Sequence, residues 1–416
     1  MFSIREAARA VTAERQRVLE LAAVVFLWQA AVGVYFLSLV QQYLPMKLQA
    51  GAAYTGYAMA AYGVAKFLLQ PAAGWLADRV GRRITMVAGM GGSVPVLALM
   101  MSSDERVFLA SSALLGACAA AMWPAFMAHV GDTTPSGRRA RTMSIINLAQ
   151  MAGIGTGTIV GVLAVDLVTY SAAFWACIAF TLVAVAMVVR TVPEWAPEPA
   201  PAVPVHQAGV TARARMAPWT PGIAMLGLIV LFLTVGTSLH TPMIGAYTRD
   251  VLDVKMSYMA LLMPAPALVA GIAFWRLSHL ADRVGRHVTL VAGLFVAAAA
   301  IFALTLTDSP YIAVNLVVIA GVAYALSIPA WGAAALDATD VGGRGLWLGI
   351  LSAVQGLGVA GGQALGGVIG GVWGPLAPFK LAALLLMVAL TLIVLQLWHQ
   401  SRRRLASTAV PVHISH

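Results

Sequence analysis

Twelve stretches of this chain are apolar over about 20 residues, the length an α-helix needs to cross the hydrocarbon of a bilayer. They lie at 21–43, 54–75, 84–102, 107–128, 142–164, 171–190, 222–245, 257–276, 288–306, 311–334, 346–371 and 379–398. In lipid, each backbone N–H and C=O must find its partner inside the protein. Runs of this length satisfy that demand as helices. Composition agrees: of 416 residues 60% are hydrophobic and 10% charged, against roughly a quarter charged in soluble domains. The mean hydropathy is +0.85. The expected fold is an all-α membrane protein with twelve transmembrane helices.

The chain divides in the middle. Residues 192–221 are rich in proline and polar groups and form a linker that cannot span a membrane. This gives a segment 1–20, a six-helix bundle over 21–191, the linker 192–221, a second six-helix bundle over 222–398 and a tail 399–416. The first twenty residues mix Arg5, Arg9, Arg15 and Arg17 with Glu6, Glu14 and Glu20, so no signal-peptide core is expected there. With both termini placed in the cytoplasm, twenty Lys and Arg fall on the cytoplasmic side and five opposite: Lys47, Arg106, Arg249, Lys255 and Lys380. That bias sets the orientation. It also accounts for the net charge of +10 without nucleic acid as a partner. Cys118 and Cys177 sit in apolar runs without metal or redox spacing and read as packing residues.

The two halves repeat one another. Residues 76–89, LADRVGRRITMVAG, match residues 280–293, LADRVGRHVTLVAG, at eleven of fourteen positions. A second stretch recurs at an offset of 205: Pro124, Asp132, Arg139, Gln150, Gly153, Gly157 and Gly161 correspond to Pro329, Asp337, Arg344, Gln355, Gly358, Gly362 and Gly366. A repeat of this kind implies two equivalent bundles. Two such bundles are how many transporters expose one central site to alternate sides.

The loop after the second span, Gly74-Trp75-Leu76-Ala77-Asp78-Arg79-Val80-Gly81-Arg82-Arg83, resembles the signature of the major facilitator superfamily, G-x-L-a-D-r-x-G-r-k/r. The second copy holds Asp282, Arg283, Gly285 and Arg286, with Ser278 in place of the first glycine. The resemblance extends over the whole chain and implies a monomeric secondary transporter, not an enzyme, in the inner membrane. Gly74 is expected to allow a close helix approach and Gly81 a tight turn. By resemblance, Asp78 and the neighbouring arginines latch the halves on the cytoplasmic side. Asp132 with Arg139, and Asp337 with Arg344, are expected to add to that latch. Two family patterns are incomplete. Ser112 stands where proton-coupled members carry an arginine in helix four. In helix five, Thr158 and Val162 replace the proline and last glycine of the exporter motif.

Polar groups inside the membrane are costly and point to function. Lys66 lies twelve residues before Asp78, about 18 Å deep along a helix. It shares a face with Tyr62 and Gln70 at a spacing of four. Lys66 is the leading candidate for substrate contact or coupling. No acidic residue is placed at the midplane, and Asp166 comes nearest. Further cavity candidates are Gln29, Asn147, Gln150, His240, Gln355 and Gln363. Trp28, Trp123, Trp331, Met122, Met127, Met259 and Met263 supply apolar wall. The expected activity is efflux of a small amphipathic organic molecule. Two alternatives stand beside it: import or exchange of an organic anion through Lys66, and, more remotely, a membrane-embedded enzyme or assembly factor. No metal or cofactor is expected, and a proton is the candidate coupling ion.

Overall fold

Glycines at intervals of four decide how the first helices meet. A computed structural model of the protein describes residues 4–101, 104–134, 138–194, 221–269, 272, 286–337 and 344–408. In it α5 (Arg139–Leu167) lies against α1 (Ile4–Val34) with almost no side chain between them. A Cβ added to Gly153, Gly157 or Gly161 would run into the backbone at Phe26, Ala30 or Val34, and one on Gly33 would meet Ile154. Lipid gives helices no hydrophobic reason to associate, so such backbone contact supplies the packing.

Around this pair the first unit adds α2 (Ala52–Val80), α3 (Arg82–Met100), α4 (Glu105–Thr133) and α6 (Tyr170–Thr191). Asp104 starts α4 by accepting from the Arg106 and Val107 N–H groups, and Thr169 starts α6 through the Ala172 N–H. Gly116 of α4 abuts the Tyr62 backbone, and Gly89 of α3 abuts Cys118 and Ala121. The close approach expected of Gly74 is not there: its Cβ would sit an ordinary 3.6 Å from Pro124. Tyr35, Phe108, Phe126, Phe174, Met86 and Met90 are fully buried among these helices.

Beyond Val34 the first helix changes winding. Tyr35–Lys47 is π-helical and contains Pro45. Proline has no N–H to give, so the carbonyl five residues back, on Val40, has no π-helical donor. π segments are rare and concentrate where function needs a displaced side chain. The unit also includes Pro242–Leu261 and Gly370–Val372. The first of these holds a short 3₁₀ turn at Thr241–Met243, α8 (Ile244–Asp250) and α9 (Met256–Leu262).

The second unit holds α7 (Pro221–Leu239), α10 (Arg286–Ala303), α11 (Pro310–Asp337), α12 (Arg344–Trp373) and α13 (Ala377–Thr408). Its glycine ladder repeats the first. A Cβ on Gly358 would meet Thr234 and Leu231, one on Gly362 Ser238 and Val235, and one on Gly366 Leu239. Phe26, Ala30 and Val34 shifted by 205 are Leu231, Val235 and Leu239. The offset read from the sequence thus returns as a physical contact. Phe379, Ala382, Leu386 and Ala389 of α13 are buried in this unit.

Two spans are interrupted where the sequence reading runs straight through. The run 222–245 breaks after Leu239, before Pro242, and the run 257–276 breaks at 263, before Pro264. In both places proline withholds the donor the next turn requires. Eight helices among the described residues are long and apolar enough to cross a membrane, and no strand occurs among them. Large apolar side chains such as Leu148, Met151, Trp175 and Trp373 are well exposed, as a lipid-facing surface requires. Cys118 and Cys177 are free thiols, the latter buried.

Candidate functional site

Lys66 is the middle residue of α2, fourteen residues from either end. The helix is about 43 Å long, so Lys66 lies about 21 Å along the axis from either end. The side chain is half-buried. Among the described residues no carboxylate lies within ion-pair distance of it. One turn earlier, Tyr62 is buried, its ring 5.4 Å from Tyr35 and 5.1 Å from Phe36. Tyr62 therefore belongs to the packed interior of the first unit. Lys66 and Gln70 lie on the same stripe and are half-buried. The stripe runs from core to accessible surface, with its charge in the middle.

The other polar candidates scatter. Gln29 and Gln150 are half-buried in the first unit, and Asn147 is exposed. In the second unit Gln363 is half-buried and Gln355 exposed. His240 sits where α7 gives way to the 3₁₀ turn, its ring 5.3 Å from Phe379. Its Nδ1 is buried and has no hydrogen-bond partner among the described residues. Trp28, Met122 and Met259 are buried packing residues, and Trp123 stacks on Phe126 at 6.0 Å.

At the Gly74–Arg83 loop the chain turns sharply between α2 and α3. Gly81 has φ +104° and ψ 148°, a conformation essentially restricted to glycine. The Thr85 hydroxyl donates to the Gly81 carbonyl at 2.9 Å and steadies the turn. Arg82, only 12% exposed, is paired with Asp132 at the end of α4 and lies 3.9 Å from Asp78. Arg83 pairs with Glu194 at 3.4 Å. Arg79 stacks over the Trp75 ring at 4.1 Å. Arg82 thus ties the loop to α4 within the first unit. That Asp132–Arg82 bond was not expected from the sequence, which set Asp132 beside Arg139. No periodicity links residues fifty positions apart; the signal available was the acid at the end of α4 and the turn that brings Arg82 back. The side chains of Arg139, Arg286, Asp337, Arg344 and Trp331 lie outside the described residues, as do Asp282, Arg283 and Gly285.

Apolar helices of spanning length, several of them paired through bare glycines, define a polytopic helical membrane protein. Matches over residues 21–339 and 277–412 to the Major Facilitator Superfamily model cover the chain. The chain belongs to that family, which is one of multi-pass membrane transporters and not of enzymes. It is 32% identical over 107 residues to multidrug resistance protein 2 of Bacillus subtilis (strain 168), covering 26% of each chain. It is 31% identical over 186 residues to the class C tetracycline resistance protein of Escherichia coli, covering 44% of this chain and 46% of the other. The chain spans between about a quarter and a half of the length of these relatives. The crystal structure of the nucleoside transporter NupG has the same fold, with a TM-score of 0.73 at 12% identity, covering 91% of this chain and 99% of that one.

Proposed function

We propose that the protein is a secondary transporter that moves a small amphipathic organic compound out of the cell by alternating access. It acts in the inner membrane as a monomer with both termini in the cytoplasm, and no cofactor takes part. The observation that carries the reading is Lys66 at the midpoint of α2, in a chain whose partial relatives are a multidrug and a tetracycline resistance protein. A central cation in an otherwise apolar helix suits a ligand with a large apolar body and one polar or anionic handle. A proton gradient is the proposed driving force. The test is uptake into everted membrane vesicles, with and without an imposed pH gradient, across amphipathic compounds of either charge. Gradient-dependent accumulation supports export, and accumulation only in right-side-out vesicles reverses the direction.

A second reading is favoured by the lack of a carboxylate within ion-pair distance of Lys66 among the described residues. Such a cation can be neutralised by the substrate itself, which makes the cargo an organic anion taken up or exchanged. Exchange of internal for external anion without any imposed gradient would select this reading.

A further inference from the structure

Residues Pro242–Leu261 follow α7 in the chain, yet they pack with the first unit. They do so at the end of that unit remote from the Gly81 turn. Two side chains hold them, each by accepting from a backbone N–H. Gln41 Oε1, on the π-helical stretch, accepts from the Gly245 N–H at 2.7 Å in a buried position. Asp166 Oδ2, at the end of α5, accepts from the Ser257 N–H at 3.1 Å. Gly245 is seated so tightly that a Cβ there would come 2.8 Å from the Gln41 carbonyl oxygen. Gln41 and Gly245 are 204 residues apart, the offset of the loop repeat, so the first helix is bonded to the segment that repeats it. Beside these bonds Val162 is buried against Met256 and Ala260, with Leu37, Ile159 and Ile244 around them.

The contact has a divided character. A cavity of about 310 Å³ opens next to it, lined by Gln41, Gln42, Asp166, Thr248, Asp253 and Lys255 among others. Polar and charged side chains reach into a largely apolar lining, and it is roomy enough for several waters. Water there can take over either hydrogen bond, so each bond keeps only the modest net contribution of an exchanged hydrogen bond, and the two together set the balance. The cluster around Val162 has no such substitute and closes the contact when the bonds are made. Two replaceable bonds over a small dry patch make a fastening that holds and releases.

Resting on the transporter reading, we propose that Gln41 and Asp166 are positioning residues that clasp the 242–261 segment onto the first unit in one transport state and release it in the other. Neither residue touches substrate in this role. Each sets how long the remote end stays shut.

The test uses full-length protein in nanodiscs with Cys118→Ser and Cys177→Ala, and Val162→Cys as reporter. Val162 is fully buried, so a hydrophilic maleimide should label position 162 slowly in the parent. Adding Gln41→Ala and Asp166→Ala should raise the labelling rate about tenfold or more, since each lost bond shifts the population toward the open form. An unchanged rate in folded protein overturns the proposal. A second arm keeps Gln41 and Asp166: Val162→Cys and Met256→Cys are bridged by a short bis-methanethiosulfonate, each thiolate displacing a sulfinate to form a disulfide that a reductant later cleaves. The bridged protein should lose substrate exchange and regain it on cleavage, and full exchange while bridged also overturns the clasp. Labelling needs no substrate, so its outcome stands whatever the vesicle screen finds about cargo.

Discussion

Gly157 lies against Ala30 with no space for a side chain, because a Cβ at that position would strike the Ala30 carbonyl oxygen. The obstacle is backbone and cannot swing aside. Overpacking a dense interior costs about 1–3 kcal/mol, and a fixed obstacle puts Gly157→Leu at the upper end. Gly362 meets the Ser238 hydroxyl and, behind it, the Val235 carbonyl oxygen, so Gly362→Leu should also be destabilising. Gly155 is the control: nothing lies within 4 Å of its would-be Cβ. Thermal unfolding of the purified variants should leave Gly155→Leu near the parent and lower both others clearly. Equal loss at all three positions would mean that glycine ladders do not hold these bundles together.

Asp78 and Asp132 both lie near Arg82, but unequally. Asp132 is its close partner, while Asp78 stands 3.9 Å away and is 70% exposed. Exposed pairs contribute about 0–1 kcal/mol, so Asp78→Asn should insert and melt like the parent. Its carboxylate is nevertheless free to meet a second partner during transport, and vesicle uptake by Asp78→Asn should fall to background. Asp132→Asn should lower stability more, because it weakens the closer charge pair of Arg82, which is only 12% exposed. If Asp78→Asn transports at the parental rate, the latch assigned to it by family resemblance is void.

Lys66 offers a sharper discrimination. In the proposed transporter Lys66 stands at mid-membrane, and removing a cation from there lowers the cost of insertion by about 2.5–3.5 kcal/mol, so Lys66→Ala should express at least as well as the parent. Transport should nevertheless be lost. If the cargo is an anion, the loss is selective and Lys66→Arg retains part of the rate, since the charge remains. If the cargo is a neutral or cationic amphipath, uptake of all substrates declines alike. Uptake of an anionic and a cationic probe by the same two variants separates these outcomes.

The architecture was largely legible because lipid makes the rule simple: long apolar runs, short loops and a Lys/Arg bias. The repeat was legible too, and its offset reappears as Gly157 on Ala30 and Gly362 on Val235. What escaped was local winding and remote pairing. Tyr35–Lys47 winds as a π-helix, and an apolar run shows no contrast between periods of 3.6 and 4.4 residues. Pro242 and Pro264 were visible punctuation, but hydropathy alone carried the spans across them. Gln41 was not singled out, because its partner is a backbone N–H 204 residues away and leaves no pattern in spacing. Tyr62 was grouped with Lys66 by a correct helical spacing, yet the stripe dives into the core at Tyr62, which periodicity cannot register.

Gly81 ties the loop motif to a measurable strain. At φ +104° and ψ 148° the backbone occupies a region that a Cβ excludes, and forcing another residue there costs about 1–3 kcal/mol. Asparagine, which tolerates the left-handed helical region, gains nothing here because ψ is far from that basin. Gly81→Ala and Gly81→Asn should therefore be equally destabilising in thermal unfolding. The damage should also reach the charge pair, because α3 begins at Arg82 and any relaxation of the turn moves that guanidinium away from Asp132. Combining Gly81→Ala with Asp132→Asn should then cost less than the two separate losses together, since neighbouring perturbations that share one cause are not additive. Strict additivity in that double-mutant cycle would show that the turn and the ion pair act independently, and that the glycine serves the backbone alone.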